Sequence, residues 1–115
     1  MRLLNQDQSQ LCDYLAQEEF GLSSRVLMEN AGNAVAEEVH QQVRDKKKKI
    51  LILSGPGNNG ADGFVVSRAL KRKGFQNTSI LIVEKPRKKN DNWDYQLERA
   101  KNSQVQVVDL PEGSI

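Results

Sequence analysis

Ile50-Leu51-Ile52-Leu53-Ser54-Gly55-Pro56-Gly57-Asn58-Asn59-Gly60-Ala61-Asp62-Gly63 decides the fold. Four consecutive apolar residues, not alternating with polar ones, predict a strand of the kind buried on both faces in a parallel sheet. The glycine-rich stretch behind it predicts a loop over Gly55–Gly60. An amphipathic segment from about Ala61 carries Phe64, Val65, Ala69 and Leu70, and it predicts a helix that closes on Lys71-Arg72-Lys73 with Gly74 at C′. Strand, tight loop and helix in that order form the first unit of a βαβ alternation.

Outward from this unit the alternation continues. Thr78 to Val83 reads as a second apolar strand, Asp91 to about Lys101 as a helix and Gln104 to Asp109 as a third, shorter strand. Upstream, Leu11 and Leu15 mark a helix over about Gln6–Glu19, ended by Gly21. Ser23 is a good N-cap for the next helix, with Leu22 and Leu27 placed as a hydrophobic staple. In that helix, to about Val43, Leu27, Met28, Ala31, Ala34, Val35 and Val39 form the apolar stripe, and Gly32 allows close packing. The order α-α-β-α-β-α-β predicts an α/β layer fold: half of a doubly wound, parallel sheet ordered 3-2-1. The Ile50–Leu53 strand is left at the edge of this half. An apolar edge invites pairing, so a further half of the domain or a partner chain is expected to cover it.

Composition narrows the function classes. The 115 residues allow one domain, and one Cys (Cys12) and one His (His40) leave no disulfide framework and no Cys/His zinc site within the chain. No apolar run approaches the roughly 20 residues of a membrane helix. The start lacks a secretory pattern, so a cytoplasmic setting is expected. A net charge of +2 and 5% aromatics argue against nucleic acid as partner. The Lys46–Lys49 run reads as a solvated loop. Lys85 to Lys89 follow the second strand, on the side of the sheet where ligands bind, and could meet an adenosine phosphate.

Gly55, Gly57 and Gly60 satisfy G-x-G-x-x-G between a strand and a helix, with Glu84 near the position of a ribose-binding acid. The loop is not a Walker A motif, because Ala61-Asp62 stands where Lys-[Ser/Thr] is required. Asp62 at the helix start would compete with a pyrophosphate for the helix dipole, which counts against an ordinary dehydrogenase domain. Asn58, Asn59 and Asp62 are hard oxygen donors, suited to a cation or to sugar hydroxyls. Helix capping by Asp62 and turn geometry at the Asn residues would explain the same types.

Leu27-Met28-Glu29-Asn30-Ala31-Gly32 followed by Gly55-Pro56-Gly57-Asn58-Asn59-Gly60-Ala61-Asp62-Gly63 resembles the YjeF N-terminal domain family, whose enzyme members are NAD(P)HX epimerases. Ala61 stands where the family usually has Gly. The resemblance implies a Rossmann-like, three-layer α/β/α sandwich with two N-terminal helices, of which residues 1–115 are the N-terminal half, ending after the third strand. It implies an isomerase of cofactor repair, interconverting the R and S forms of hydrated NADH and NADPH (NAD(P)HX) and feeding a partner dehydratase. Asn58, Asn59, Gly60, Ala61 and Asp62 are implied to contact the hydrated cofactor, and Asn59 a potassium ion. The later family motifs, of Asp-Ala-[Leu/Ile]-Phe-Gly and Asp-[Ile/Val]-Pro-Ser-Gly type, have no match in Leu110–Ile115, so no catalytic acid or base is assigned. A non-enzymatic dimerisation or ligand-binding module of the same fold is the rival reading, with a homodimer as its simplest form. Glu29 and Asn30 are expected at the surface or a subunit contact, and Trp93 and Tyr95 are expected to pack their helix on the sheet.

Overall fold

Ile50, Ile52 and Ser54 turn to one side of their strand and Leu51 and Leu53 to the other, and this alternation organises the molecule. The computed structural model describes residues 24–110. The expected helix over 6–19, Cys12, the Leu22 staple and the Ser23 cap lie outside the described residues. The elements are α1 (Ser24–Gln42), β1 (Ile50–Ser54), α2 (Asn58–Arg72), β2 (Thr78–Ile82), α3 (Asp91–Asn102) and β3 (Gln106–Asp109). The strands form a parallel sheet in the order β1-β2-β3, with Ile52 opposite Ile80 and Ile80 opposite Val107.

The strand order never reverses, so two right-handed crossovers put α2 and α3 on the same face. Phe64 and Val65 of α2 cluster with Ile80 and Ile82 of β2 and with Trp93 and Ala100 of α3. A second cluster joins Ala36 and Val39 of α1 to Val66, Ala69 and Leu70 of α2, with Phe75 below them. α2 is therefore the central helix, flanked by α1 and α3. Gly32 lets α1 approach it closely: a Cβ there would lie 2.4 Å from Val65 Cγ1. The buried face of α1 runs through Met28, Gly32, Ala36 and Val39, whereas Ala31 and Ala34, expected in the stripe, are exposed.

The α/β parallel sheet stands as expected, but β1 is not covered on both sides. Among the described residues helices lie on one face only. Leu51 and Leu53 on the opposite face are 57% and 63% exposed. Leu53, Leu81 and Val108 share a row across that bare face. Two of the element boundaries are locally determined. Gly74, with φ +99°, ends α2 in the left-handed conformation that favours glycine. Asn90 caps α3 by accepting a hydrogen bond from the Trp93 backbone N–H at 3.0 Å.

Candidate functional site

The carboxyl end of β1 leads into a loop folded tightly on itself. Ser54, buried at the strand end, donates its hydroxyl to the Gly60 carbonyl at 3.1 Å. Gly57 is the N-cap of α2 and has no side chain to cap with. The Gly60 and Ala61 amides both donate to the Gly57 carbonyl, at 3.0 and 3.2 Å. A Cβ on Gly60 would sit 1.9 Å from the Gly55 carbonyl oxygen, so only glycine fits there. From the other side, the Trp93 indole N–H donates to that same carbonyl at 2.9 Å.

The helix thus begins at Asn58, three residues before the position expected from the sequence. Asn58 and Asn59 become first-turn residues with exposed side chains, beside the amide-rich N-terminal end of α2. Gly60 and Ala61 are buried, and Ala61, 1% exposed, packs in the core with Met28 and Phe64. Asp62 is half-buried in the next turn, and the first turn holds no acidic residue. The expected contest between Asp62 and a bound phosphate for the end of the helix dipole therefore does not arise. Among the described residues no three His, Cys, Asp or Glu side chains gather into a metal site. The Asn58 and Asn59 carboxamides have no other partner there, which leaves their oxygens available to a hard cation.

Three further segments reach this end of the sheet. The first turn of α1 contributes Arg25, whose guanidinium lies 4.0 Å from the centre of the Tyr95 ring. Tyr95 is thereby exposed beneath a cation and does not pack on the sheet, in contrast to the buried Trp93. The first turn of α3 brings Asn92, whose amide contacts Met28 Sδ at 3.4 Å. Residues 83–90 connect β2 to α3. In this connection Lys85 pairs with Asp109 at 3.3 Å, Lys89 lies 4.0 Å from Asp91, and Glu84, Arg87 and Lys88 are exposed.

Behind the site is a polar network that the sequence reading missed. Arg68 of α2, 2% exposed, donates to both carboxylate oxygens of Glu29, at 3.1 and 2.9 Å, and to Gln96 of α3 at 3.0 Å. Glu29 is therefore an internal tie between α1 and α2 and not a surface or subunit contact, while Asn30 is exposed. The hydrogen bond from Arg68 holds the Glu29 carboxyl below its usual pKa, outweighing the opposing effect of burial. A charged residue within the apolar run Val65-Val66-Ser67-Arg68-Ala69-Leu70 was the available signal. His40, in the last turn of α1, contacts Lys46 and lies in a T-shaped arrangement with the Phe75 ring.

With this geometry in place, three likenesses bear on the chain. It is 51% identical over 76 residues to the bifunctional NAD(P)H-hydrate repair enzyme Nnr of Archaeoglobus fulgidus, covering 66% of this chain and 14% of that protein. It is 31% identical over 109 residues to the NAD(P)H-hydrate epimerase of Pirellula staleyi, covering 95% of this chain and 47% of that one. The crystal structure of yeast ynu0 superposes with a TM-score of 0.76 at 27% identity, over 99% of this chain and 49% of that chain. The chain thus spans less than half the length of these relatives. Residues 24–114 match the family described as YjeF-related protein N-terminus, and the chain belongs to that family.

Proposed function

We propose that the chain carries the loop-bearing half of an NAD(P)H-hydrate epimerase site. One observation carries the reading: the loop closed by Ser54, Gly60 and Trp93 presents exposed Asn58 and Asn59 at the carboxyl end of β1, in a family whose named relatives include NAD(P)H-hydrate epimerases. Oxygen donors beside helix amides suit a ligand that has both hydroxyls and a pyrophosphate. Asn58, Asn59 and Asp62 would reach the hydrated cofactor by their side chains. Gly60 and the core-facing Ala61 would contribute backbone only. A potassium ion would take the Asn59 carboxamide oxygen and loop carbonyls as ligands, and when bound it would offset phosphate charge.

Epimerisation at the hydrated carbon requires a group that moves a proton and stabilisation of changing charge. The described residues supply the cradle. Further chain, from a longer protein or a second subunit, would complete the chemistry and cover β1. A cytoplasmic setting and an NAD(P)HX dehydratase as functional partner belong to the same reading, and one likeness is to a repair enzyme named as bifunctional. The test is conversion of R-NADHX to S-NADHX with potassium present, resolved by chromatography, for the chain and its Asn59→Ala and Asp62→Ala variants. Turnover above the spontaneous rate, reduced in the variants, supports the proposal. Specific binding of the hydrated dinucleotide without turnover, weakened in the variants, fits a half-site, and failure to bind it, with unmodified NAD bound instead, overturns the proposal.

A specific observation favours a second reading, a non-enzymatic dimerisation module of the same fold. Leu51 and Leu53 form an exposed apolar edge and face that a second copy would cover. A concentration-dependent dimer in sedimentation, lost in Leu53→Glu and accompanied by no ligand binding, would favour it.

A further inference from the structure

We infer that Trp93, far from the candidate site residues in sequence, is the positioning residue that sets the shape of the Gly55–Gly60 loop. Two contacts and its burial make it a rigid post. Its backbone N–H is held by the Asn90 cap at 3.0 Å. Its ring meets Phe64 edge-on, with centroids 5.0 Å apart and planes at 73°. Its side chain is 2% exposed. From this post the indole N–H reaches the Gly55 carbonyl at 2.9 Å.

That carbonyl is where the loop is tightest, pressed against the Gly60 backbone so closely that no Cβ fits between them. Holding Gly55 holds Gly60, whose own carbonyl is bound by Ser54 Oγ. The pair Gly55–Gly60 in turn fixes the first turn of α2, from which Asn58 and Asn59 project. α3 thereby controls the loop of the preceding βα unit across the sheet. Packing alone does not require this residue type, because Phe or Leu would also fill an apolar contact with Phe64. Tryptophan brings both a ring and an N–H donor to that point.

The inference rests on the epimerase reading only for what the loop binds, so its test separates the two. In Trp93→Phe the ring contact persists and the donor is lost. Amide hydrogen exchange at Gly60 and Ala61, whose N–H groups close the loop on Gly57, should accelerate about tenfold or more. Exchange in β2 at Ile80 should stay unchanged. Unchanged exchange at Gly60 and Ala61, or equal acceleration throughout the chain, overturns the inference. The chain has one tryptophan, so its single indole N–H resonance gives an independent readout. Titrating the wild-type chain with NADHX should shift that resonance if the ligand engages the loop. Fast loop exchange in the variant, with an indole resonance in the wild type indifferent to NADHX, would leave the role of Trp93 standing and count against the epimerase reading.

Discussion

Glu29 and Arg68 face each other across the α1–α2 interface in a two-pronged ion pair, with both Arg68 Nη atoms within 3.1 Å of a Glu29 oxygen. The partners are unequally exposed: Arg68 is all but sealed from water and Glu29 retains partial access. Breaking such a pair leaves a buried guanidinium with one amide partner, Gln96, and an Nε that already has none. Glu29→Ala is expected to destabilise the fold by about 3 kcal/mol. Glu29→Gln keeps an acceptor and should cost less. Chemical denaturation of the three proteins checks the order, and equal stability of Glu29→Ala and wild type would refute it.

The same pair makes stability depend on acid. The folded-state pKa of Glu29 is lowered from 4.5, chiefly by the Arg68 hydrogen bond. A depressed carboxyl stabilises fully above its unfolded pKa, and the contribution is lost as pH falls through the folded value. Stability of the wild type should therefore decline as pH falls below about 5. In Glu29→Gln that decline should be shallower. Parallel pH profiles of the two proteins would show that this carboxyl is not the group responsible.

Gly60 and Gly55 belong to the same loop and should respond differently to alanine. A Cβ at Gly60 meets the Gly55 carbonyl at 1.9 Å, a backbone atom that cannot rotate away, whereas a Cβ at Gly55 meets nothing within 4 Å. Gly60→Ala is expected to cost about 1–3 kcal/mol and to displace Asn58 and Asn59. Gly55→Ala should stay within about 0.5 kcal/mol of wild type. Thermal melts distinguish the two, and a neutral Gly60→Ala would mean that the loop is not packed as described.

How much of this was legible in the sequence depended on whether the deciding contact was local. The β1–loop–α2 unit was legible because four apolar residues, spaced glycines and a helical stripe are each local signals. The sheet order followed from reading the three strands as half of a doubly wound sheet, and the handedness of the crossovers then put both helices on one face. The start of α2 was misread because Gly57 caps without a side chain, so the usual Ser, Thr, Asp or Asn signal is missing. What covers the outward Leu51 and Leu53 is not legible, because an apolar run has the same composition whichever chain covers it. Arg68–Glu29 and Trp93–Gly55 join residues 39 and 38 positions apart, and no local pattern reports such pairs.

Gly32 sets two opposing effects against each other. Alanine in a helix interior is favoured over glycine by about 1 kcal/mol. Here its Cβ would lie 2.4 Å from Val65 Cγ1 and 2.9 Å from Val65 Cβ. Rotating Val65 moves its Cγ1 but leaves its Cβ in place, so α1 and α2 must separate. The packing loss, about 1–3 kcal/mol, should win. Gly32→Ala is expected to be less stable than wild type despite its better helix propensity, and thermal melts of the two proteins check the order. A simple gain of stability in Gly32→Ala would refute the close approach.

The connection after β2 offers a test of ligand choice. Lys85 and Lys89 have acidic neighbours in Asp109 and Asp91, which leaves Arg87 and Lys88 as the exposed cations best able to meet an added phosphate on the site's side of the sheet. NADPHX carries one phosphate more than NADHX, and a bridging cation near it in high dielectric is worth about 1 kcal/mol. Changing Arg87 and Lys88 together to Ala should weaken NADPHX binding by about fivefold more than NADHX binding, with the difference fading at high salt. Titration of both ligands at low and high ionic strength decides the matter. Equal losses for the two would assign these cations to general attraction of the pyrophosphate, and no loss for either would leave them a solvated surface.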